Sequence, residues 1–162
     1  MIGQITEPSL LFRWLNRMSM KIILILFLLL LSLHASSETA QNLGYYSDYK
    51  EALAVAKDEN KPLMLIVVTS YCPWCRKFER KSLSSEKVSL YIQKYFIPVI
   101  VDRNKDAKEF PSQYQTPRIP TVFYINPSTE YAYWETLGYL SRSDMAEALE
   151  DAKALYKKRV VQ

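Results

Sequence analysis

Histidine is nearly absent from this chain. Of 162 residues only His34 is a histidine, and only Cys72 and Cys75 are cysteines. His34 lies in a stretch, residues 1–37, that reads as a leader. Arg13, Arg17 and Lys21 precede "IILILFLLLLSL", Ile22 to Leu33, and the small residues of "HASSETA" follow. A basic start, a short apolar middle and a small-residue exit are the pattern of a secretory signal peptide. A mature chain beginning at Glu38 would hold no histidine, which excludes a histidine base and a Cys/His metal site.

A long hydrophobic run is missing as well. The apolar stretch has 12 residues, short of the ~20 that cross a bilayer. Export with cleavage after Ser37, with Ala35 and Ser37 as the small pair, is therefore expected. A retained membrane anchor extended through Ser32–Ser36 is the alternative. The cleavage region holds no cysteine, which argues against a lipoprotein. "MKIILILF" at Met20 looks like an ordinary leader start, making the preceding residues an extension. Charge of one sign is also scarce. The formal net charge of +4 falls to +2 without residues 1–37, as 18 basic residues then face 16 acidic ones. That is too weak to argue for nucleic acid and fits a solvated, mildly basic surface. Repeats and low-complexity segments are lacking. Residues 38–162 have room for one domain of roughly 120 residues and no second.

What remains alternates between helix and strand patterns. Glu38 to Tyr46 is polar and reads as an arm or a short edge strand. "DYKEALAVAKDENK" reads as a helix capped by Asp48, with Glu51 in a capping-box position and Tyr49, Leu53 and Ala56 as its apolar stripe. "PLMLIVV" and "IPVIVD" are continuous apolar runs, as expected of strands covered on both faces. Between them, "PWCRKFERKSL" starts a helix at Pro73. "SSEKVSLYIQKYF" continues as a second helix with Val88, Tyr91, Ile92 and Tyr95 on its apolar face. A polar, irregular segment with one helical turn around Phe110–Tyr114 leads to "IPTVFYIN". A turn at Asn126-Pro127-Ser128 then joins that strand to "YAYWETLGYL" as a hairpin. The last helix, capped by Ser141 or Ser143, buries Met145, Leu149, Ala152 and Tyr156, and its basic last turn suits the helix dipole. A parallel pair followed by a hairpin implies an α/β fold, a mixed sheet with helices on both faces.

The two cysteines stand in "TSYCPWCRKFE", Thr69 to Glu79. Two cysteines without histidine make no four-ligand zinc site within one chain. A haem attachment needs histidine after the second cysteine, where Arg76 stands. A structural disulfide is the alternative, but so short a ring stabilises little. Thiol–disulfide exchange suits the spacing better. Its attacker is a thiolate, and a strand-to-helix junction with Arg76 and Lys77 within one turn favours one at Cys72. Cys75, one turn further in, is the expected resolving sulfur. Trp74, between them, is read as an exposed lid able to meet apolar partner segments. "RKFERK" is read as a solvated helix face, and Tyr45, Tyr46 and Tyr49 as residues that pack the terminus.

Three segments, "SYCPWCRKF", "YFIPVIVD" and "RIPTVFYI", resemble the thioredoxin superfamily, and exported thioredoxin-like proteins in particular, over nearly the whole of residues 38–162. The resemblance implies the thioredoxin fold and a cis Pro120 facing the cysteines, with Ile119 before it and Thr121 after. In that family the residue before the proline offers backbone hydrogen bonds to the substrate. On residues alone, a trans Pro120 entering an edge strand is an equal alternative. Two departures stand out. Ile66 occupies the strand position where thioredoxin carries a buried acid, leaving the proton acceptor of Cys75 unassigned; Lys57, Glu59 and Lys61 lie nearby only in sequence. The intervening pair is Pro73-Trp74 rather than Gly-Pro.

The expectation is an exported, periplasmic thiol–disulfide oxidoreductase. Cys72 and Cys75 are catalytic, with Pro73, Trp74, Arg76, Ile119, Pro120 and Thr121 supporting the site. It needs no cofactor or metal. Its partners are disulfide-containing or dithiol proteins and a redox donor protein, with membrane contact only through a retained leader. A reducing direction is favoured, because one small domain offers no inserted region for gripping unfolded clients and the family resemblance points to periplasmic reducing roles. A disulfide donor or isomerase, or a non-catalytic partner-binding module, is the alternative. No dimerisation segment is visible, so a monomer is expected.

Overall fold

Six apolar residues in a row, Leu63–Val68, form strand β1, and all six are buried. Such a run is stable in a sheet only when both faces are covered. Met64, Ile66 and Val68 enter one apolar layer, and Leu63, Leu65 and Val67 enter the other. The structure is a computed structural model and describes residues 38–160. The expected leader, its apolar run and its cleavage point lie outside the described residues. Among the described residues no helix is long and apolar enough to cross a membrane.

β1 pairs in parallel with β2 (Ile97–Asp102) and antiparallel with β3 (Thr121–Ile125). β3 turns back into β4 (Ala132–Leu137), antiparallel. The sheet order is β2-β1-β3-β4. One face carries α1 (Glu38–Leu43), α3 (Pro73–Phe78), α4 (Glu86–Tyr95) and α5 (Arg142–Val160), whose Ala40, Phe78, Ile92, Met145 and Leu149 are buried against Ile66, Ile100, Val122 and Tyr124. The other face carries α2 (Tyr49–Asp58), with Tyr49, Ala52, Leu53 and Ala56 packed on Leu65, Val99 and Phe123. Phe110 and Tyr114, the latter closing a 3₁₀ turn Ser112–Tyr114, complete that layer. The result is a mixed four-stranded sheet with helices on both faces, the α/β arrangement expected from the order of elements.

Local chemistry explains the element ends. Asp48 caps α2, its carboxylate accepting the Glu51 N–H at 2.7 Å. Ser141 caps α5, its hydroxyl accepting the Asp144 N–H at 3.3 Å. The polar segment 38–46 corrects the expectation of an arm or edge strand, for it opens with the helix α1. Gly44, at φ +66°, ends that helix in a Schellman arrangement: Tyr45 N–H donates to Ala40 O and Gly44 N–H to Gln41 O. Only one sheet contact follows, a parallel bridge between Tyr46 and Val99 at the outer edge of β2. Tyr45 and Tyr49 are buried and pack the terminus down.

Candidate functional site

The redox segment hangs between two neighbouring strand ends. β1 and β2 finish side by side, with Val68 opposite Asp102 and Arg103 N–H donating to Val68 O at 2.9 Å. Thr69–Tyr71 then turn the chain into α3. One carboxylate oxygen of Asp102 accepts the Ser70 N–H at 2.7 Å and the Ser70 hydroxyl. The other accepts Asn104 N–H at 2.9 Å and Lys105 N–H at 3.3 Å. Arg76 closes the turn from the far side, donating to Ser70 O at 3.0 Å.

Cys72 is the N-cap of α3, with extended backbone (φ −85°, ψ 112°) and Pro73 in the first turn. Its N–H donates to Thr69 O at 3.1 Å, and its sulfur accepts the Cys75 N–H at 3.1 Å. Both thiols are free, Cys72 half-buried and Cys75 fully buried. Burial pushes the Cys75 thiol up to about 12. The hydrogen bond with Cys72 and the fields of Cys72 and Glu79 add to this; a backbone hydrogen bond from Thr69 opposes it.

The Ile119–Pro120 peptide is cis. Ile119 and Cys72 both pack, partly exposed, against the sheet-face cluster that holds Cys75. Pro120 O accepts the Gly138 N–H at 2.7 Å. Thr121 is fully buried, its hydroxyl bound to Arg118 O at 2.6 Å, so it holds the loop and offers no surface to a substrate. Trp74 is 53% exposed. The Lys77 ammonium lies 4.8 Å from its ring centroid and 4.6 Å from that of Tyr139, a cation shared between two faces.

A family model of the thioredoxin-like domain matches residues 49–153. The chain belongs to the thioredoxin-like family. Spermatogenesis-associated protein 20 of Rattus norvegicus is 38% identical over 61 residues, covering 38% of this chain and 8% of that protein. The chain thus spans under a tenth of that relative's length. Among solved structures, a thioredoxin from Thermus thermophilus is 22% identical with a TM-score of 0.62, over 72% of this chain and 91% of that one. A DsbH oxidoreductase is 22% identical with a TM-score of 0.56, over 70% and 85%. At these identities the likeness is one of fold.

This thioredoxin-like chain thus brings Cys72, Pro73, Trp74, Cys75 and Arg76 together at the start of α3, with Ile119, the residue before the cis proline, packed into the same layer. Lys57, Glu59 and Lys61 are elsewhere: Lys57 pairs with Glu130 and Lys61 with Glu59, each at 2.7 Å. Ile66 is buried in that layer. Sequence reading passed over Asp102, Ser70, Tyr139 and Glu79. The "RKFERK" face needs correcting at Phe78, fully buried, and at Glu79. The Glu79 carboxyl is half-buried and accepts the Thr39 hydroxyl of α1 at 3.4 Å. An acid closing a buried strand, as Asp102 does, was the legible signal for the clamp.

The Asp102 clamp gives a pH-dependent contribution. Desolvation works against its charge, but the hydrogen bonds from Ser70, Asn104 and Lys105 outweigh it and hold the carboxyl below its ordinary value. A depressed carboxyl stabilises the fold above its unfolded value, ~3.9, and that contribution is lost as pH falls through the folded value. Asp102→Asn should cost about 2 kcal/mol at neutral pH and progressively less as pH falls through the folded value. Urea melts of both forms across that range check this; an equal difference at both ends would refute the clamp's charge dependence.

Proposed function

We propose that the chain is an exported thiol–disulfide oxidoreductase that reduces disulfides of periplasmic partner proteins. One observation carries the reading: a half-buried Cys72 at the start of α3 whose sulfur accepts the backbone N–H of a fully buried Cys75. That is the asymmetry of an attacking and a resolving thiol. The Cys72 thiolate attacks one sulfur of a partner disulfide, forms a mixed disulfide and expels the other partner sulfur as a thiolate. Cys75, once deprotonated, attacks Cys72 Sγ; the Cys72–Cys75 bond forms and the second partner sulfur leaves. The partner gains two electrons and two protons, and a dithiol donor protein restores the enzyme by the reverse exchange.

Support around the pair is consistent with an extended substrate. Among the described residues neither backbone polar group of Ile119 makes a hydrogen bond within the protein, leaving both for a partner strand. Trp74, Tyr139 and the 86%-exposed Tyr71 flank the pair with aromatic surface. Export rests on the leader pattern of residues 1–37. The reducing direction rests on the single small domain, whose elements are joined by loops and carry no inserted client-gripping region among the described residues.

Insulin-disulfide reduction in dithiothreitol tests the activity. The wild-type chain should accelerate precipitation of the insulin B chain well above dithiothreitol alone; no acceleration would end the oxidoreductase reading. Equilibration with dithiothreitol or glutathione buffers tests direction. A potential near thioredoxin's, about −270 mV, supports the reductase, and one near −120 mV would reverse it.

A further inference from the structure

We propose that Glu79 is the proton acceptor of Cys75 in the resolving step, taking the part left open by Ile66 in β1. The proposal rests on the oxidoreductase reading and adds a residue to it. The need is set by burial. Cys75 attacks only as a thiolate, yet its sulfur is fully buried and its thiol is held far above neutrality. β1, which runs beneath it, offers nothing: Leu63–Val68 are all apolar and buried, and Ile66 faces the layer that holds Cys75.

Glu79 is on the correct face. It follows Cys75 by four positions, one helical turn on the same side, and its N–H bonds the Cys75 carbonyl. It also opens the π-helical turn Glu79–Leu83, a local widening found frequently at functional sites. Among the described residues the groups around its carboxyl are few. Thr39 donates to it from α1, Arg76 and Arg80 act on it from its own helix, and its charge is felt by the Cys75 thiol one turn back. From the β4–α5 connection, Leu140 contributes a carbonyl that accepts from Ser82, and no charge. Desolvation raises the Glu79 carboxyl above its ordinary value although Thr39, Arg76 and Arg80 oppose it. An acceptor moved toward neutrality is better matched to a proton-transfer role, and a half-buried carboxyl can exchange its proton with solvent.

The step balances. The Cys75 thiol gives its proton to the Glu79 carboxylate, directly or across one water. The electron pair left on sulfur forms the bond to Cys72 Sγ. The bond between Cys72 and the partner breaks, and the partner sulfur leaves with its pair and takes up a proton from Glu79 or solvent. In reverse, the Glu79 acid reprotonates Cys75 as the disulfide opens.

Electrostatics alone predicts the opposite result. The negative Glu79 raises the Cys75 thiol, so Glu79→Gln should ease ionisation and leave resolution unchanged or faster. A lost proton acceptor makes it slower. Stopped-flow reaction of the reduced full chain with 5,5′-dithiobis(2-nitrobenzoate) separates the steps, since attack by Cys72 releases one thionitrobenzoate and ring closure by Cys75 a second. In Glu79→Gln the first release should keep the wild-type rate. The second should slow by roughly 10- to 100-fold near pH 7, the gap closing as pH rises toward the Cys75 thiol value.

Thr39→Val leaves the carboxyl in place and removes its donor, so it should move the inflection of the second phase to higher pH with the plateau unchanged. A second phase in Glu79→Gln at or above the wild-type rate overturns the proposal. So do equal slowing of both phases and an unmoved inflection in Thr39→Val. A wild type that gives no first release overturns the oxidoreductase reading itself, which keeps the two failures apart.

Discussion

Cys72→Ser should reduce insulin disulfides no faster than dithiothreitol alone, while folding as well as the wild type or better. A serine hydroxyl supplies no thiolate and forms no mixed disulfide, so the reaction stops before its first bond. Position 72 is an N-cap, where serine is among the preferred residues, and it is half-buried rather than sealed. The exchange therefore removes the chemistry and spares the helix start, with a stability change within about 1 kcal/mol. Cys75→Ser should behave differently on both counts. Its first attack persists and the protein stops as a mixed disulfide, giving one equivalent and no turnover. Its new hydroxyl sits at a fully buried position, at a cost of about 1–3 kcal/mol if unpaired. Mass spectrometry of the trapped adduct and thermal melts of both variants check the pair. Turnover by Cys72→Ser above the reagent rate would remove Cys72 as the nucleophile.

Much of this is legible in the sequence alone, because the informative residues act locally. "PLMLIVV" and "IPVIVD" read as doubly covered strands since nothing polar interrupts them, and Asp48 marked its helix because a cap bonds three residues away. The cysteines fell at a strand-to-helix junction by the same local logic. What escaped depends on partners distant in sequence. Asp102 bonds Ser70 32 positions back. Tyr139 meets Trp74 and Lys77 only once β4 has run alongside β3. Glu79 sits in an alternating-charge stretch that looks solvated, and only the packing of α1 places Thr39 beside it. α1 itself has no apolar stripe, and its one signal, Gly44, is a terminator rather than a start. The π turn has no composition that announces it.

Phe78→Ala should be the costliest single truncation at the site, lowering stability by about 3–5 kcal/mol and the melting temperature by roughly 10–20 °C. Phe78 lies between Cys75 and Glu79 on the inner side of α3 and is fully buried in the layer with Ile66, Ile100 and Val122. Its ring also meets Tyr139 edge-on, centroids 6.4 Å apart and planes at 82°, and so braces the β4–α5 connection that supports Trp74. Removing it leaves a cavity that the central strands cannot close by moving, since β1 is paired on both sides. Against a typical total of about 5–15 kcal/mol, that loss is a large share. Phe78→Leu retains most of the volume and should cost under ~1.5 kcal/mol. The thiol chemistry does not pass through the ring, so Phe78→Ala that is still folded at low temperature should attack disulfides through Cys72 at a near-normal rate. Denaturant melts of the two variants, with first-phase kinetics at about 10 °C, separate packing from chemistry. A loss below ~1 kcal/mol for alanine would mean that α3 is held to the sheet by something other than this ring.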